Sequence, residues 1–169
     1  MKFEKVSLEQ YLKDIFDKKD MTDEEKKYIT EVYNNIKLPK RATKFSAGYD
    51  IYSPIPFKLP PKSTVTFKTG IKVKLNDNCF LMVVPRSSLG FKYKLQLDNT
   101  VGIIDADYYN NAKNEGHIAI KMTNNSLNKT IEFNAGDAIA QGIILNYLTT
   151  EDDDASNTRE GGIGSTNKQ

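Results

Sequence analysis

The chain has 169 residues, 38% of them hydrophobic and 27% charged, enough for one domain around a single substantial core. A net charge of +2 is too small to argue for nucleic acid. No apolar run approaches the ~20 residues of a membrane span, and the opening MKFEKVSLEQ lacks a signal peptide's apolar core, so the cytoplasm is expected.

Two helices are predicted first. Leu8, Tyr11, Leu12, Ile15 and Phe16 repeat at helical spacing behind Ser7 as N-cap. A second helix starts from the capping-box pair Thr22 and Glu25, runs through Tyr28, Ile29, Val32, Tyr33 and Ile36, and is stopped by Leu38-Pro39. The period then changes to two. In TVTFKTGIKVK, Val65, Phe67, Ile71 and Val73 share one face and Lys68, Lys72 and Lys74 the other. CFLMVVP and AIAQGIIL are short, continuously apolar runs, expected as strands buried on both faces. Leu95 and Leu97, then Ile118, Ile120 and Met122, then Ile131 and Phe133 add shorter alternating pieces. Turn signals at NDN, TNNSLN and NAGD separate them. The expected fold class is mainly β, a jelly-roll sandwich or barrel. From about Glu151 the pattern stops, which predicts a tail that is mobile when nothing is bound.

Four polar clusters interrupt this scaffold. AGYDIYS puts Asp50 at a strand start, although an Asp beside a glycine also suits a plain turn. PRSSLG puts Arg86, Ser87 and Ser88 directly after an apolar strand, where a serine could equally cap a helix. GIIDADYY holds Asp105 behind VGII, so its carboxylate is expected to be partly buried, a placement commoner at functional sites. REGGIGST ends the chain and, taken alone, reads as a linker.

Some chemistries are excluded. GGIGST lacks the Lys-Ser/Thr ending of a P-loop, and there is neither a G-x-S-x-G elbow nor an H-E-x-x-H. One cysteine, Cys79, excludes an internal disulfide and argues against a cysteine zinc site. With His117 the one histidine, any metal would be a hard cation on oxygen ligands, and His117 itself reads as an ordinary polar strand residue. Taken together, Arg86, Ser87, Arg159, Ser165, Thr166 and glycine amides are donors for a polyphosphate. Asp50 and Asp105 are candidates for a Mg²⁺ environment and for water activation. The set suits hydrolysis of a nucleoside triphosphate.

In this order the clusters resemble the five motifs of the trimeric dUTP pyrophosphatases (dUTPases). They read AGYDI (47–51), PRSSLG (85–90), NTVGIIDADYY (99–109), GDAIAQ (136–141) and REGGIGSTN (159–167). The resemblance implies a jelly-roll homotrimer whose active sites are shared between subunits, with Mg²⁺ as cofactor. The implied reaction is hydrolysis of dUTP to dUMP and pyrophosphate, which keeps uracil out of DNA and supplies dUMP for thymidylate synthesis. Asp105 would activate the attacking water, and Asp50 would orient Mg²⁺ through water. Arg86, Ser87, Ser88 and Gln141 would meet the phosphate chain. Tyr108 would pack under the deoxyribose, with Gly102 and Ile104 beside it. Asn99 and the backbone at Ile118 and Ala119 would read the uracil edge. Arg159 would reach the γ-phosphate, and Gly162, Ile163, Gly164, Ser165 and Thr166 would close over the nucleotide from a neighbouring subunit.

The implied division is a helical extension (1–37), the β domain (38–150) and a C-terminal arm (151–169). No nucleic acid or membrane partner is implied. The N-terminal helices are expected to cover the trimer's own surface, the alternative being a docking module for a protein partner. Three departures stand out: Ile163 replaces the usual stacking aromatic, Ala138 replaces a usual arginine, and YNNAKNE intervenes between Tyr108 and Gly116. The arm is also one residue shorter between Arg159 and its glycine pair than in many members. The related dCTP deaminases would need a glutamate where Lys121 stands, which disfavours deamination. A non-catalytic regulatory protein on the same fold is the other alternative, and the intact Asp105 argues against it.

Overall fold

The computed structural model describes residues 1–16 and 21–156. Strand β1 (Lys2–Lys5) is followed by helices α1 (Leu8–Phe16) and α2 (Asp23–Asn34). Strands β2 (Lys40–Arg41), β3 (Tyr49–Tyr52), β4 (Phe57–Leu59), β5 (Thr64–Lys68), β6 (Ile71–Lys74) and β7 (Cys79–Pro85) lead to helix α3 (Ser87–Tyr93). After it come β8 (Leu95–Leu97), β9 (Gly102–Asp105), a 3₁₀ turn at Ala106–Tyr108, β10 (Ala119–Asn124), β11 (Ile131–Phe133) and β12 (Ala138–Asn146).

The two most apolar runs pair with each other. Strands β7 and β12 form an antiparallel ladder from Cys79 opposite Asn146 to Pro85 opposite Ala140. They sit inside a five-stranded sheet ordered β2-β3-β12-β7-β9. A second sheet, β5-β10-β8, and the pairs β1-β6 and β11-β4 complete the β structure. Among the described residues no sheet closes on itself, so the fold is mainly β without a closed barrel. The core between the layers contains Ile51, Leu81, Met122, Ile139 and Ala140, all fully buried.

Burial on both faces of the apolar runs is not what the structure has. Along β7, Cys79, Leu81 and Val83 are buried, whereas Phe80, Met82 and Val84 are half-buried. Only one face of this sheet is fully covered within the chain, and strict alternation of the pleat leaves the other partly open.

Both N-terminal helices form where spacing predicts them. The Ser7 hydroxyl accepts the Gln10 amide at 3.0 Å, and Thr22 with Glu25 makes the full capping box. Helix α1 buries Gln10, Tyr11 and Leu12; α2 buries none of its residues fully and lays Ile29, Val32 and Tyr33 against the core. Strand β1 was not foreseen, because KFEK is short and charged; it pairs with β6 from Lys2 opposite Lys74 to Lys5 opposite Ile71. Val6, Tyr11 and Ile36 belong to the same buried cluster as the strands, so the described N-terminal elements pack into the core of the β domain.

The run TVTFKTGIKVK is also not one strand. It breaks at Gly70, whose φ of +76° is a left-handed conformation open to glycine, and Ile36 occupies the space a Cβ would need. Residues before the break pair with β10, and residues after it pair with β1.

His117 lies at this break and is no ordinary strand residue. It precedes β10 and is completely buried. Its Nε2 accepts the Gly70 amide at 2.7 Å, which requires a bare Nε2 and leaves the proton on Nδ1. Nδ1 then donates to Asp14 Oδ2 at 2.6 Å. Burial pushes the imidazole's pKa down, against the opposing pull of Asp14. Glu115, two residues earlier, is pushed up by burial but more strongly down by hydrogen bonds from Ser7 and by the Lys72 ammonium, leaving it at about 2.

These shifts predict acid sensitivity. The unfolded chain takes up the His117 proton more readily than the fold does, so stability present above pH 6.5 falls as pH drops below it. Glu115 adds a further loss as pH falls from 4.5 toward 2. Melting temperatures measured from pH 7.5 to 5 should fall in the wild type and fall less in His117→Gln. Tyr11, buried between the rings of Tyr33 and His117, should cost about 3–5 kcal/mol when changed to Ala, read from urea unfolding.

Candidate active site

Two groups of polar residues emerge, and strand β7 separates them. The first surrounds a cleft of about 340 Å³ between β9 and β10. Of the residues proposed from sequence, Asn99, Gly102, Ile104, Asp105, Tyr108, Ile118 and Ala119 line it. Its walls are mostly apolar with a few convergent polar groups, the usual make-up of a small-molecule site.

Local geometry places each of these groups. Asn99 sits on a tight turn in which the Thr100 amide bonds the Leu97 carbonyl at 2.9 Å and Thr100 takes a φ of +66°. Gly102 faces Val83 across the ladder; a Cβ there would lie 3.3 Å from Val83 Cβ and 3.7 Å from Asn99 Nδ2. Asp105 ends β9 and is half-buried, as expected from VGII. The 3₁₀ turn that follows swings Tyr108 over the cleft. Its hydroxyl donates to the His117 carbonyl at 3.1 Å and accepts Asn114 Nδ2 at 2.7 Å.

Ile118 lines the cleft, but its backbone is already engaged. Its amide bonds the Ile71 carbonyl at 3.0 Å, and its own carbonyl accepts both the amide and the hydroxyl of Thr69, at 3.1 and 2.7 Å. The Ile118 backbone is therefore not free to meet a ligand edge in the way the sequence suggested.

Sequence reasoning did not assign Thr66, Val83, Leu97 and Asp98 to the site. The signal that could have found Val83 is its pairing with Gly102, which no local pattern reveals. Lys121, singled out only against deamination, also lines the cleft and pairs with Asp98 at 3.2 Å. A hydrogen bond from Thr123 and the Lys121 ammonium hold the Asp98 carboxyl below the usual carboxylate range.

The second group lies beyond the other end of β7. Arg86 Nε pairs with Asp50 Oδ1 at 3.1 Å, and the same guanidinium reaches the Ala138 carbonyl at 3.5 Å. Asp50 stands opposite Gln141 in the β3-β12 ladder, and Gln141 Nε2 donates to the Pro85 carbonyl at 3.2 Å. The Gln141 side chain also packs over Gly48, where a Cβ would collide with it. The Arg86–Asp50 pair thus forms without the arginine that Ala138 replaces. Ser87 and Ser88 open α3 with both side chains exposed; Arg86 holds the N-cap position and makes no side-chain cap bond. The serines are therefore available for a ligand instead of capping the helix.

Arg159, Gly162, Ile163, Gly164, Ser165 and Thr166 lie outside the described residues. Among the described residues no three His, Cys, Asp or Glu side chains converge on a metal position. Mg²⁺ keeps several waters and takes one or two carboxylates together with substrate phosphates, so a single carboxylate such as Asp50, here paired with Arg86, is compatible with it. No described helix is long and apolar enough to cross a membrane.

A family model described as dUTPase matches residues 34–167, most of the chain and all five motifs. The chain belongs to the dUTPase family. Its relatives include the deoxyuridine 5′-triphosphate nucleotidohydrolase of Lactococcus lactis, 37% identical over 142 residues, covering 82% of this chain and 94% of that protein. The enzyme of the same name from Haemophilus influenzae is 32% identical over 148 residues, covering 83% and 93%. Among solved structures, a dUTPase from Streptococcus mutans superposes with a TM-score of 0.65 at 33% identity, covering 89% of this chain and 99% of that one. Membership in the dUTPase family accounts for the spacing of the motifs. The loop between Tyr108 and Gly116 is tied to this chain's own N-terminus by Ser7 and Glu4.

Gly116 tests that loop. Its φ is +80°, and a Cβ would lie 2.6 Å from the Tyr108 carbonyl oxygen. Gly116→Ala should destabilise the loop by about 1–3 kcal/mol and weaken nucleotide binding, measured by thermal melting with and without ligand.

Proposed function

We propose that this protein hydrolyses dUTP to dUMP and pyrophosphate. The family relationship supports the substrate, and the cleft supports the division of labour. In this reading the uracil enters the apolar cleft, where Asn99 and the Ala119 backbone meet its polar edge. A base with the wrong donor pattern leaves those groups unpaired, at about 1–3 kcal/mol each. Tyr108 packs beneath the deoxyribose and leaves no room for a 2′-hydroxyl, with Gly102 and Ile104 shaping the floor.

Asp105 takes a proton from water as the water oxygen bonds to the α-phosphorus. The bond from that phosphorus to the α,β-bridging oxygen breaks in line, and pyrophosphate leaves. Arg86, Ser87, Ser88 and Gln141 hold the phosphate oxygens, with Arg159, Ser165, Thr166 and the amides of Gly162 and Gly164 completing that shell. Ile163 covers the base. Mg²⁺, held by the triphosphate and by water near Asp50, would offset phosphate charge when bound. Removing dUTP keeps uracil out of DNA, and the dUMP produced feeds thymidylate synthesis.

One observation carries the shared-site assembly. Asp105 lies opposite Phe80 at the start of β7, and Arg86 follows Pro85 at its end. Six residue steps along a strand span about 20 Å. Asp105 and Arg86 of one chain therefore cannot meet adjacent phosphates of one nucleotide, which supports a site built between subunits of a closed trimer.

Incubation with Mg²⁺ and each of dUTP, UTP, dTTP and dCTP should yield pyrophosphate and monophosphate from dUTP alone. Asp105→Asn should lower the rate by about 10²–10⁴-fold. Co-expressing Asp105→Asn with Arg86→Ala subunits should restore activity toward about a quarter of wild type, because random mixing in a ring leaves that fraction of sites with both groups intact. Ammonia released from dCTP would make the protein a deaminase. No recovery on co-expression would place each site within one subunit.

A further inference from the structure

The residues between Tyr108 and Ile118 form a loop whose two ends line the nucleoside cleft. Besides its own internal bonds, it is tied to the first fourteen residues of the chain and to Gly70 and Lys72 of the neighbouring strand segment. Glu115 accepts the Ser7 amide at 3.0 Å and the Ser7 hydroxyl at 2.5 Å. Lys72 reinforces that carboxylate at 3.0 Å and also bonds Asn110 Oδ1 at 2.7 Å. The Tyr109 hydroxyl donates to Glu4 Oε2. His117 donates to Asp14 at 2.6 Å, and Asp14 is itself oriented by Gln10 Nε2 at 2.8 Å.

These ties act on the cleft through short covalent and hydrogen-bonded links. His117 is bonded directly to Ile118, and its carbonyl accepts the Tyr108 hydroxyl. Asn114, next to Glu115, donates to that same hydroxyl, while Asn111 Nδ2 holds the Tyr108 carbonyl at 2.8 Å. Two residues of the loop, Asn110 and Glu115, have φ of +57° and +56°. A non-glycine residue is disfavoured there. The Glu115 backbone is bonded within the loop, its amide to the Asn111 carbonyl and its carbonyl from the Asn110 amide, both at 3.0 Å. Its side chain adds the bonds from Ser7 and Lys72 outside the loop.

We infer that Glu4, Ser7 and Asp14 are positioning residues for nucleoside discrimination. They fix the 109–117 loop from outside and thereby set where Tyr108 and Ile118 stand in the cleft. The inference rests on the proposed dUTP reaction for its kinetic readout. None of the three lines the cleft. They bear on how the sugar and base fit and leave the Asp105 chemistry untouched.

The test uses the full chain with Glu4→Ala, Glu115→Ala, Glu115→Gln, Ser7→Ala, Asp14→Ala and Asp14→Asn. Glu115 and Ser7 are at the surface side of the loop, so their variants should fold, checked by circular dichroism and melting. Amide hydrogen exchange over residues 108–118 should accelerate in Glu115→Ala and Asp14→Ala. In the same variants KM for dUTP should rise about tenfold with kcat within about twofold, because misplacing a bound group costs binding geometry before it costs chemistry. The kcat/KM preference for dUTP over UTP should narrow by a similar factor. Asp14→Asn, which keeps an acceptor for the His117 proton, should restore the wild-type preference.

Unchanged KM and unchanged dUTP/UTP preference in folded variants would overturn the inference, even if exchange accelerates, and would leave these bonds a purely stabilising role. A fall in kcat with KM constant would also overturn it. If the wild type fails to turn over dUTP, the proposed reaction fails by itself. Exchange over residues 108–118 and the affinity for dUMP, compared between wild type and Glu115→Ala, then decide the positioning role separately.

Discussion

The antiparallel pairing of β7 is the constraint on which the rest of the molecule depends. Its seven residues hold β12 on one side and β9 on the other. Once Phe80 is opposite Asp105, strand geometry carries Arg86 to the far end, and no side-chain movement can bring the two together. The same ladder puts Gly102 against Val83, where the missing side chain leaves space beside Asn99. Secondary structure thus fixes how far apart one chain holds Asp105 and Arg86, whatever else meets the ligand.

A second junction, around His117, joins the helical N-terminus to that sheet system. A buried imidazole is tolerated there because both nitrogens are satisfied, one by the Gly70 amide and one by Asp14. Protonating Nε2 would break the Gly70 bond and add buried charge, which is why burial depresses the pKa. The break in TVTFKTGIKVK, the direction of α1 and the start of β10 all meet at this one side chain. Glu115 and Lys72 form a partly exposed counterpart on the outside of the same loop.

The cleft combines apolar walls with few polar groups, and the two kinds of residue have different tasks. Apolar surface contributes affinity without direction, whereas the polar groups give orientation and make errors costly. Lys121 on β10 pairs with Asp98, just after β8, so the lysine's charge is compensated within the protein. Asp50 similarly compensates Arg86 at the other group. Among the described residues, Arg86 and Lys121 each have a local carboxylate partner.

Much of this was legible in the residues themselves. Helix spacing and caps located α1 and α2, because those signals are carried within a few neighbours along the chain. Asp50, Arg86, Asp105, Tyr108 and their companions were named by the resemblance of five ordered motifs; taken singly, clusters such as AGYDIYS and PRSSLG also suited a plain turn or a helix start. Other features depended on contacts between distant segments. Strand β1 is charged and short, and only the exposed edge of β6 makes it a strand. His117 looks like any polar residue until Gly70 and Asp14, far apart in sequence, converge on it. The division of the motif residues into two groups came from register, since periodicity says which face a side chain takes but never which strand lies beside it.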